Sequence, residues 1–321
     1  MSKMPAVYYY DEHPPEADFY AEVIDGLKHR PRRISPKFFY DERGSELFDA
    51  ICRTEEYYPT RTEQALLQQH AGEIAGLIGE RCLLIEPGSG NSEKVRLLLD
   101  VLHPSAYLPM DISRDFLYQA ADQVAQEYPW LEVHAACVDF TAPLSLPYCP
   151  PATRKLIFFP GSSIGNFEPE QAEVFLRNLT SVAGAQGSLL IGVDLKKDPA
   201  ILNAAYNDRA GVTAAFNLNL LHRIRRELDA ELDPGLFEHD AWYNDTLGRV
   251  EMHLVSQQAQ QLKIDGQLFE FDKDETIHTE SSYKYTVEEF IDLAGRAGFT
   301  SRQVWTDPDN LFSLHYFDVG D

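Results

Sequence analysis

Residues 83–94 combine an apolar run, an acid and a glycine-rich bend, the residue types with which proteins bind nucleotide-like ligands. The segment reads Leu-Leu-Ile-Glu-Pro-Gly-Ser-Gly-Asn-Ser-Glu-Lys. The apolar run predicts a strand, the glycines predict a tight turn that lets a ligand approach the backbone, and the polar residues predict a helix start. Because Pro87 favours an extended conformation of the residue before it, we expect Glu86 to end the strand.

The spacing within this turn narrows the class of ligand. A dinucleotide-binding turn has a third glycine at the position where this chain has Glu93. The carboxylates of Glu86 and Glu93 would repel a pyrophosphate, but they suit a cation that carries ribose hydroxyls and an ammonium group. S-adenosylmethionine (SAM) has all of these features, so we expect SAM as the co-substrate. The histidines show no metal-ligand spacing, so we expect no metal.

Alternating strands and helices must position these residues. The pattern predicts helices near 93–102, 114–127 and 168–183, and strands at Cys82–Glu86, Tyr107–Met110, Leu131–Val138, Lys155–Phe159 and Ser188–Asp194. Such alternation predicts a parallel sheet with right-handed crossovers, whose ligands bind outside the carboxyl ends of the strands. Acids follow four of these five strands, namely Glu86, Asp111, Asp139 and Asp194. We expect Asp111 to bind ribose hydroxyls and Asp139, with Phe140, to hold adenine.

The chain after residue 195 has a different pattern. Helices are predicted at 198–207 and 212–229, antiparallel strands within 249–258 and 267–285, a helix at 286–298, and closing strands at Ser301–Trp305 and Leu311–Phe317. We therefore predict an α/β protein with a Rossmann-like, class I SAM-dependent methyltransferase sheet and an inserted α+β domain. The SAM-binding domain would comprise residues 61–195 and 287–321, and the second domain residues 1–60 and 196–286.

Composition excludes several functional classes. The 321 residues carry a formal net charge of −23, which disfavours nucleic acid and acidic membranes as partners. The basic strip at 29–33 is short and isolated, so we interpret it as a solvated patch. The sequence shows no apolar run of membrane-spanning length, no signal-peptide core and no C-x-x-C motif. We expect a cytoplasmic monomer that acts on a small molecule.

Several strings together carry a family resemblance that runs from about residue 20 to the C-terminus. They are KFFYDERGSELFD (37–49), EEYYPTRTE (55–63), the glycine turn, GSSIGNF (161–167), AYNDRAGVTAAFN (205–217), VEMHL (250–254) and HTESSYKY (278–285). The chain resembles the histidine Nα-methyltransferases of ergothioneine biosynthesis, which make trimethylhistidine (hercynine). The resemblance implies a SAM-dependent enzyme with a Rossmann-like domain and a separate substrate domain.

The resemblance also implies roles for individual residues on the cofactor side. The positions that match SAM-contacting residues are Tyr57, Gly88, Lys94, Asp111, Asp139 and Phe140. Pro87 departs from the family pattern, where an aliphatic residue is expected, and should stiffen the turn without removing a ligand group.

On the substrate side, Asn166 and Tyr206 match the residues that hold the amino and carboxylate groups of the substrate. Glu280 and Ser282 match those that bind the imidazole ring, and they would face the same side of a strand because they are two residues apart. The remaining matches are Met252 in the pocket wall and Tyr40 close to the imidazole. Ser281 stands where the family often has valine.

The implied reaction is an in-line attack of a neutral amine on the sulfonium methyl, repeated until the nitrogen has no lone pair. Asn166 and Tyr206 would orient the amine, and Tyr206 or Tyr40 would relay the proton through water. Two other functions stay open from the sequence: methylation of another aromatic amino acid, such as a prenylated tryptophan, and SAM binding without catalysis. A nucleic-acid methyltransferase is disfavoured by the charge and by the Phe-Pro-Gly-Ser-Ser-Ile that follows the fourth strand.

Overall fold

The computed structural model describes residues 7–12, 18–79, 81–140, 145–150 and 153–320. Residues 1–6, on which the expectation about a signal peptide partly rests, lie outside the described residues. The chain divides into two compact units. The first comprises residues 1–15, 59–195 and 285–321, and the second comprises residues 16–58 and 196–284.

The bounds of the elements are as follows. The strands are β1 Val7–Asp11, β2 Arg32–Arg33, β3 Leu83–Pro87, β4 Ala106–Asp111, β5 Glu132–Cys137, β6 Lys155–Phe159, β7 Ser188–Asp194, β8 Phe237–Asn244, β9 Arg249–Ser256, β10 Gln260–Ile264, β11 Gln267–Phe271, β12 Thr276–Tyr283, β13 Phe299–Thr306 and β14 Phe312–Val319. The α-helices are α1 Phe19–Lys28, α2 Glu42–Ile51, α3 Tyr58–Ile78, α4 Arg96–Leu102, α5 Arg114–Glu127, α6 Pro169–Ala183, α7 Pro199–Tyr206, α8 Val212–Glu227 and α9 Val287–Arg296.

An eight-stranded sheet forms the centre of the first unit, in the order β1-β5-β4-β3-β6-β7-β14-β13. The first six strands in this order run parallel, and β14 lies antiparallel between β7 and β13. The strand order reverses at β3, which has β4 on one side and β6 on the other. Ligands of such sheets bind in the crevice at this reversal. The predicted Rossmann-like fold is confirmed.

The apolar strands account for the stability of this sheet. Parallel strands that are covered on both faces read as continuous apolar runs, and every residue of β3 and β7 is buried. On the helices, apolar residues recur with helical spacing; Leu117, Ala121 and Val124 of α5 are fully buried in the same core. Thr286 caps α9 in a capping box with Glu289, where the sequence predicts a helix start.

Several predicted boundaries need correction. Strand β3 continues through Pro87, which pairs with Met110, so Glu86 is not the last residue of the strand. Helix α4 begins at Arg96 rather than at residue 93, because the preceding residues form turns. The sequence analysis also missed strands β1, β2, β8 and β10 and helices α1, α2 and α3. Strand β1 is a short edge strand beside β5 with two exposed tyrosines, Tyr8 and Tyr9, and it lacks the apolar pattern of a central strand.

The predicted division of the chain differs from the observed one at the N-terminus. Residues 1–60 were assigned to the substrate domain, but β1 belongs to the large sheet because it pairs in parallel with β5. The second unit accordingly starts at residue 16. No helix in the described part of the chain is long and apolar enough to cross a membrane.

The second unit has a four-stranded sheet in the order β2-β12-β9-β8 and a separate hairpin of β10 and β11. Helices α7 and α8 contact β8 and β9, and α2 contacts α8. The unit is therefore an α+β structure in which helices cover a mainly antiparallel sheet.

A β-bulge interrupts β12 in the second unit. His278 pairs with His253 and Glu280 pairs with Met252, so Thr279 is an extra residue on its strand. The Thr279 hydroxyl lies 2.8 Å from the side-chain oxygen of Asn217 and 3.1 Å from the Met252 carbonyl. A bulge of this kind changes the face to which the following side chains point.

Candidate functional site

The glycine turn of the first unit folds against the end of β4. The amides of Gly88 and Ser89 donate to the Met110 carbonyl at 2.7 and 3.1 Å. Gly88 has φ +67° and Gly90 has φ +53°, a region in which other residues are strained. A Cβ atom on Gly88 would lie 3.2 Å from the ring of Phe140. Glycine therefore allows both the sharp turn and the close approach of an aromatic ring.

Asp111 lies at the carboxyl end of β4, as predicted, and it is fixed by the turn. Its two carboxylate oxygens accept hydrogen bonds from the amides of Gly90 at 3.1 Å and Ser113 at 2.9 Å. Burial raises the pKa of Asp111, and these backbone donors partly oppose that rise. The carboxylate stays half-buried, with lone pairs left for a ligand hydroxyl.

Glu86 does not have the role that the sequence analysis proposed for it. Its side chain is 1% exposed and accepts a hydrogen bond from the Tyr107 hydroxyl. Burial raises the pKa of Glu86 to about 8. Glu93 is exposed and bonds to Asn91. The pair of acids that suggested a cationic ligand therefore consists of one buried acid below the turn and one acid at the surface.

Lys94 is tied to an acid that the sequence analysis missed. Its ammonium forms an ion pair with Glu63, which is fully buried on α3. Both carboxylate oxygens of Glu63 also accept from the Gly161 amide at 2.9 Å. Glu63 thereby connects the segment after β3 with the loop after β6. The sequence contained one clue, because Glu63 ends the string that begins at Glu55.

The other predicted residues of this unit follow neighbouring strands. Asp139 and Phe140 come after β5, and the Phe140 ring packs 6.3 Å from that of Phe159 and 6.2 Å from that of Phe175, measured between centroids. Asn166 is exposed at the end of a 3-10 helix, Ser163–Asn166, after β6. The predicted cofactor residues of this unit therefore gather at the carboxyl edge of the sheet.

The groups at the carboxyl edge of the large sheet fit SAM. Asp111 offers an acceptor at the reversal of strand order, where ribose hydroxyls bind in folds of this class. The turn presents glycine backbone at Gly88 and Gly90, and the Phe140 ring offers an apolar surface beside it. The buried hydroxyl of Ser89 has no hydrogen-bond partner among the described residues. Within those same ranges, no three His, Cys, Asp or Glu side chains are placed to share a metal ion.

The second unit contains a small cavity that collects most of the predicted substrate residues. Tyr57, Tyr206, Met252 and Glu280 line it. The sequence analysis missed the rest of the lining, which comprises Phe48, Ile51, Ala205, Thr213 and Phe216. Four of these five residues are apolar, and an apolar side chain carries no chemical signal in the sequence that would separate a binding wall from a core. The cavity is thus mainly apolar, with one carboxylate in its wall.

Glu280 is that carboxylate, and it lies directly across from Met252 on the neighbouring strand. Among the described residues no hydrogen bond to its side chain is present, although burial raises the pKa of Glu280 to about 7. The positive charge of Lys284 opposes that rise. The residue is half-buried, and a carboxylate in an apolar wall without a hydrogen-bond donor is costly unless a ligand supplies one.

Ser282 and Tyr206 meet at a buried lysine. The Tyr206 hydroxyl donates to Ser282 Oγ at 2.9 Å, and the Lys284 ammonium donates to Ser282 Oγ at 2.8 Å and to the Tyr206 hydroxyl oxygen at 3.1 Å. Lys284 is 2% exposed, and its Nζ lies 5.0 Å from the centroid of the Tyr206 ring. Ser282 does not line the cavity, but it lies two residues beyond Glu280 on β12. Lys284 was not predicted as a site residue.

Tyr57 and Tyr40, the other two tyrosines predicted as site residues, have aromatic neighbours. Tyr57 lines the cavity with its ring 6.2 Å from that of Tyr206 in an edge arrangement. Tyr40 stands beside the cavity wall, 5.8 Å from the ring of Phe48 and 5.9 Å from that of Phe216. Tyr57, which the resemblance assigned to SAM, therefore belongs to the same unit as all the predicted substrate residues except Asn166.

Comparison with known proteins adds independent evidence. The family model described as a histidine-specific, SAM-dependent methyltransferase matches residues 19–319. The chain is 40% identical over 299 residues to the histidine N-alpha-methyltransferase of Mycolicibacterium smegmatis, covering 91% of this chain and 92% of that protein. Identity to the protein of the same name from Mycobacterium tuberculosis is 39% over 300 residues, with coverage of 91% and 92%. Ergothioneine biosynthesis protein 1 of Neurospora crassa is 33% identical over 90% of this chain and 33% of that longer protein.

Proposed function

Because the chain belongs to the family of histidine-specific, SAM-dependent methyltransferases, we propose that it transfers methyl groups from SAM to the α-amino group of L-histidine. Three successive transfers would give trimethylhistidine. The family relation supports the substrate class, and the cavity of the second unit supports the choice of an imidazole ring within that class.

One observation carries the proposal: the Glu280 carboxylate stands in the wall of an otherwise apolar cavity without a donor from the described residues. An imidazole supplies a flat ring for the apolar wall and an N–H for the carboxylate. An indole side chain also has an N–H, but it is larger, and a phenyl ring has no donor at all. Glu280 thus favours histidine over a neutral hydrocarbon ring.

In this proposal the predicted cofactor-binding residues of the first unit hold SAM. Asp111 would hold the ribose hydroxyls, Asp139 and Phe140 the adenine, and the turn around Gly88 the remainder of SAM. When bound, SAM supplies an electrophilic methyl group on a sulfonium. Lys94 is engaged by Glu63, so we propose that it supports the turn in addition to its expected contact with SAM.

The resemblance implies Asn166 and Tyr206 as the residues that present the amine. The nitrogen must arrive as the free base, because a protonated amine has no lone pair to attack with. We propose that Tyr206 or Tyr40 passes the proton to water. Aromatic faces of Tyr57 and Tyr206 suit a nitrogen that becomes permanently cationic as methyl groups accumulate.

The proposal is tested by incubating the protein with SAM and a panel of aromatic amino acids, followed by mass spectrometry of the products. We expect histidine to gain three methyl groups, and monomethylhistidine and dimethylhistidine to be consumed as well. Methylation of tryptophan derivatives in preference to histidine would assign the enzyme to a different acceptor. No methylated product from any amino acid would instead identify a SAM-binding protein without this activity.

The role of Glu280 is tested by Glu280→Ala. We expect histidine affinity to fall by about 10- to 100-fold, since a hydrogen bond to a charged group is lost, while binding of S-adenosylhomocysteine stays at the wild-type level. Calorimetric titration measures both. Exposed Glu288→Ala on α9 is the matched control and should leave both affinities unchanged. Unaltered histidine binding by the Glu280 variant would remove Glu280 from the site.

A further inference from the structure

Lys284 has no role in the function proposed so far, yet it is a buried cation at the centre of the polar contacts beside the cavity. It is 2% exposed and donates to the oxygens of both Ser282 and Tyr206. Burying an ammonium costs several kcal/mol unless it is paired and hydrogen-bonded. Two of its hydrogen bonds go to Ser282 and Tyr206, both of them predicted substrate residues, so Lys284 is placed to influence how these hydroxyls meet a ligand.

The contacts of Ser282 specify what its hydroxyl can still do. A hydroxyl has two lone pairs and one proton. One lone pair accepts from Lys284 at 2.8 Å and the other from Tyr206 at 2.9 Å. The hydroxyl of Ser282 therefore acts as a donor toward any further group.

Glu280 offers the opposite capability. An ionised carboxylate only accepts hydrogen bonds, and the positive charge of Lys284 favours the ionised form. Because Glu280 and Ser282 are two residues apart on β12, they face the same side of the strand. Together the two residues present one acceptor and one donor.

We propose that Lys284 is a positioning residue that makes the Glu280–Ser282 pair select a neutral imidazole ring. Such a ring has one N–H for Glu280 and one lone pair for Ser282. An imidazolium has two N–H groups, and the second would meet the proton of Ser282. Lys284 acts through its neighbours and does not touch the substrate. This inference rests on the proposed histidine substrate.

A double-mutant cycle tests the proposal through kcat and KM for histidine. We expect Lys284→Met to raise KM by about 10- to 100-fold, because the ring contact is lost from the bound substrate. A change in kcat would report the Tyr206 hydroxyl, which also loses a donor in this variant whichever residue stands at position 282. In the Ser282→Ala background no hydroxyl is left to orient, so Lys284→Met should raise KM by less than about fivefold. Equal effects of Lys284→Met in both backgrounds would overturn the proposal.

Lys284→Gln supplies a second test. The glutamine keeps an N–H donor without the charge, so its KM for histidine should lie between those of the wild type and the methionine variant. A glutamine variant with the same KM as the methionine variant would also overturn the proposal. Thermal unfolding and binding of S-adenosylhomocysteine report whether each variant is folded. If the wild-type protein methylates no histidine, the proposed function is wrong, and the role of Lys284 that rests on it is wrong as well. If the wild type methylates histidine but the effects of the two substitutions on KM are additive, only the role of Lys284 is refuted.

Discussion

Burial of Glu280 affects the stability of this protein, and the same carboxyl is the group proposed to bind the imidazole ring. Its carboxyl lies in an apolar wall, and burial raises its pKa from 4.5 to about 7. The folded protein therefore holds a proton that the unfolded chain releases at lower pH. The same burial that costs stability at neutral pH leaves the carboxylate available to a ligand that brings an N–H.

This linkage predicts the pH dependence of Glu280→Gln. Since the folded pKa is raised, the contribution of Glu280 to the free energy of unfolding is present below about pH 4.5 and is lost as pH rises through about 7. The glutamine carries no charge, so its stability relative to wild type should grow over this range to on the order of 2 kcal/mol. Denaturant unfolding at pH 5 and pH 8 measures the difference.

The control for that experiment is Glu93→Gln at the exposed carboxyl beside the glycine turn. Its stability relative to wild type should be the same at both pH values. A constant difference for the Glu280 variant as well would contradict the raised pKa. Histidine affinity should fall in the Glu280 variant in either case.

Asp111 is the residue on which the cofactor proposal depends most. We expect Asp111→Asn to weaken SAM binding by about 10- to 100-fold, because the amide cannot accept from both ribose hydroxyls while it caps the turn. Calorimetric titration with SAM is the measurement. Asp115→Ala, at an 84% exposed side chain on α5, serves as the control. Wild-type affinity in the Asp111 variant would exclude the ribose role.

At the residue scale, the sequence predicted acceptors at strand ends better than it predicted what surrounds them. Asp111 lies where the alternation placed it, because the carboxyl end of a strand follows from the apolar run. Glu86 was assigned to the ligand, but its partner Tyr107 is 21 residues away in the chain. Lys284 and Glu63 were missed for the same reason. Their partners come from other elements, and one sequence does not show such pairings.

At the scale of elements, Glu63 connects three segments of the first unit. Its carboxylate contacts Lys94 after β3 and Gly161 after β6, and it lies against β7 at Gly192. A Cβ atom on Gly192 would lie 2.0 Å from a carboxylate oxygen of Glu63. The glycine in β7 therefore makes room for an acid from α3.

Gly192→Ala should consequently destabilise the protein. Glu63 is held by two partners, so relieving the clash would disturb the segments that follow β3 and β6. We expect a loss of about 1–3 kcal/mol in the free energy of unfolding, together with weaker SAM binding. Gly76→Ala is the matched control, because nothing lies within 4 Å of its added Cβ in the exposed part of α3. That variant should gain about 0.5–1 kcal/mol. Equal stabilities of the two variants would refute the packing argument.

The elements that the sequence predicted best are those with strong periodicity. The central strands and helix α5 combine apolar spacing with clear boundaries, and they lie where expected. Strand β1 could not be recognised, since its three consecutive tyrosines do not alternate with polar residues. Strands β8 and β10 were not predicted for a related reason. Their stability comes from pairing with β9 and β11, and local preference alone does not indicate it.

At the scale of the whole molecule, the net charge of −23 acts on stability as well as on the choice of partners. Like charges spread over a compact surface repel one another and favour expansion. The acidic residues exceed the basic residues by 51 to 28. The local ion pairs therefore leave a large unbalanced charge.

Salt should therefore stabilise the protein. Raising NaCl from about 0.01 M to about 0.1 M shortens the Debye length from about 30 Å to about 10 Å, which screens the net repulsion more than it weakens close ion pairs. We expect the midpoint of thermal unfolding at pH 8 to rise by roughly 2 °C or more. Potassium chloride should act equally, because the effect depends on ionic strength. A midpoint that falls with added salt would show that favourable ion pairs dominate instead.

The bulge at Thr279 keeps the imidazole of His278 away from Glu280. In a regular strand His278 and Glu280 would point to the same side, and an imidazole of the protein would stand next to the acid that is proposed to bind the imidazole of histidine. Thr279 instead turns His278 to the opposite face, where it lies 5.0 Å from the His253 ring and 3.1 Å from the Ser281 hydroxyl. A tethered side chain has an effective concentration of about millimolar or more. Without this extra residue, the imidazole of His278 would stand beside Glu280, and free histidine would have to displace it.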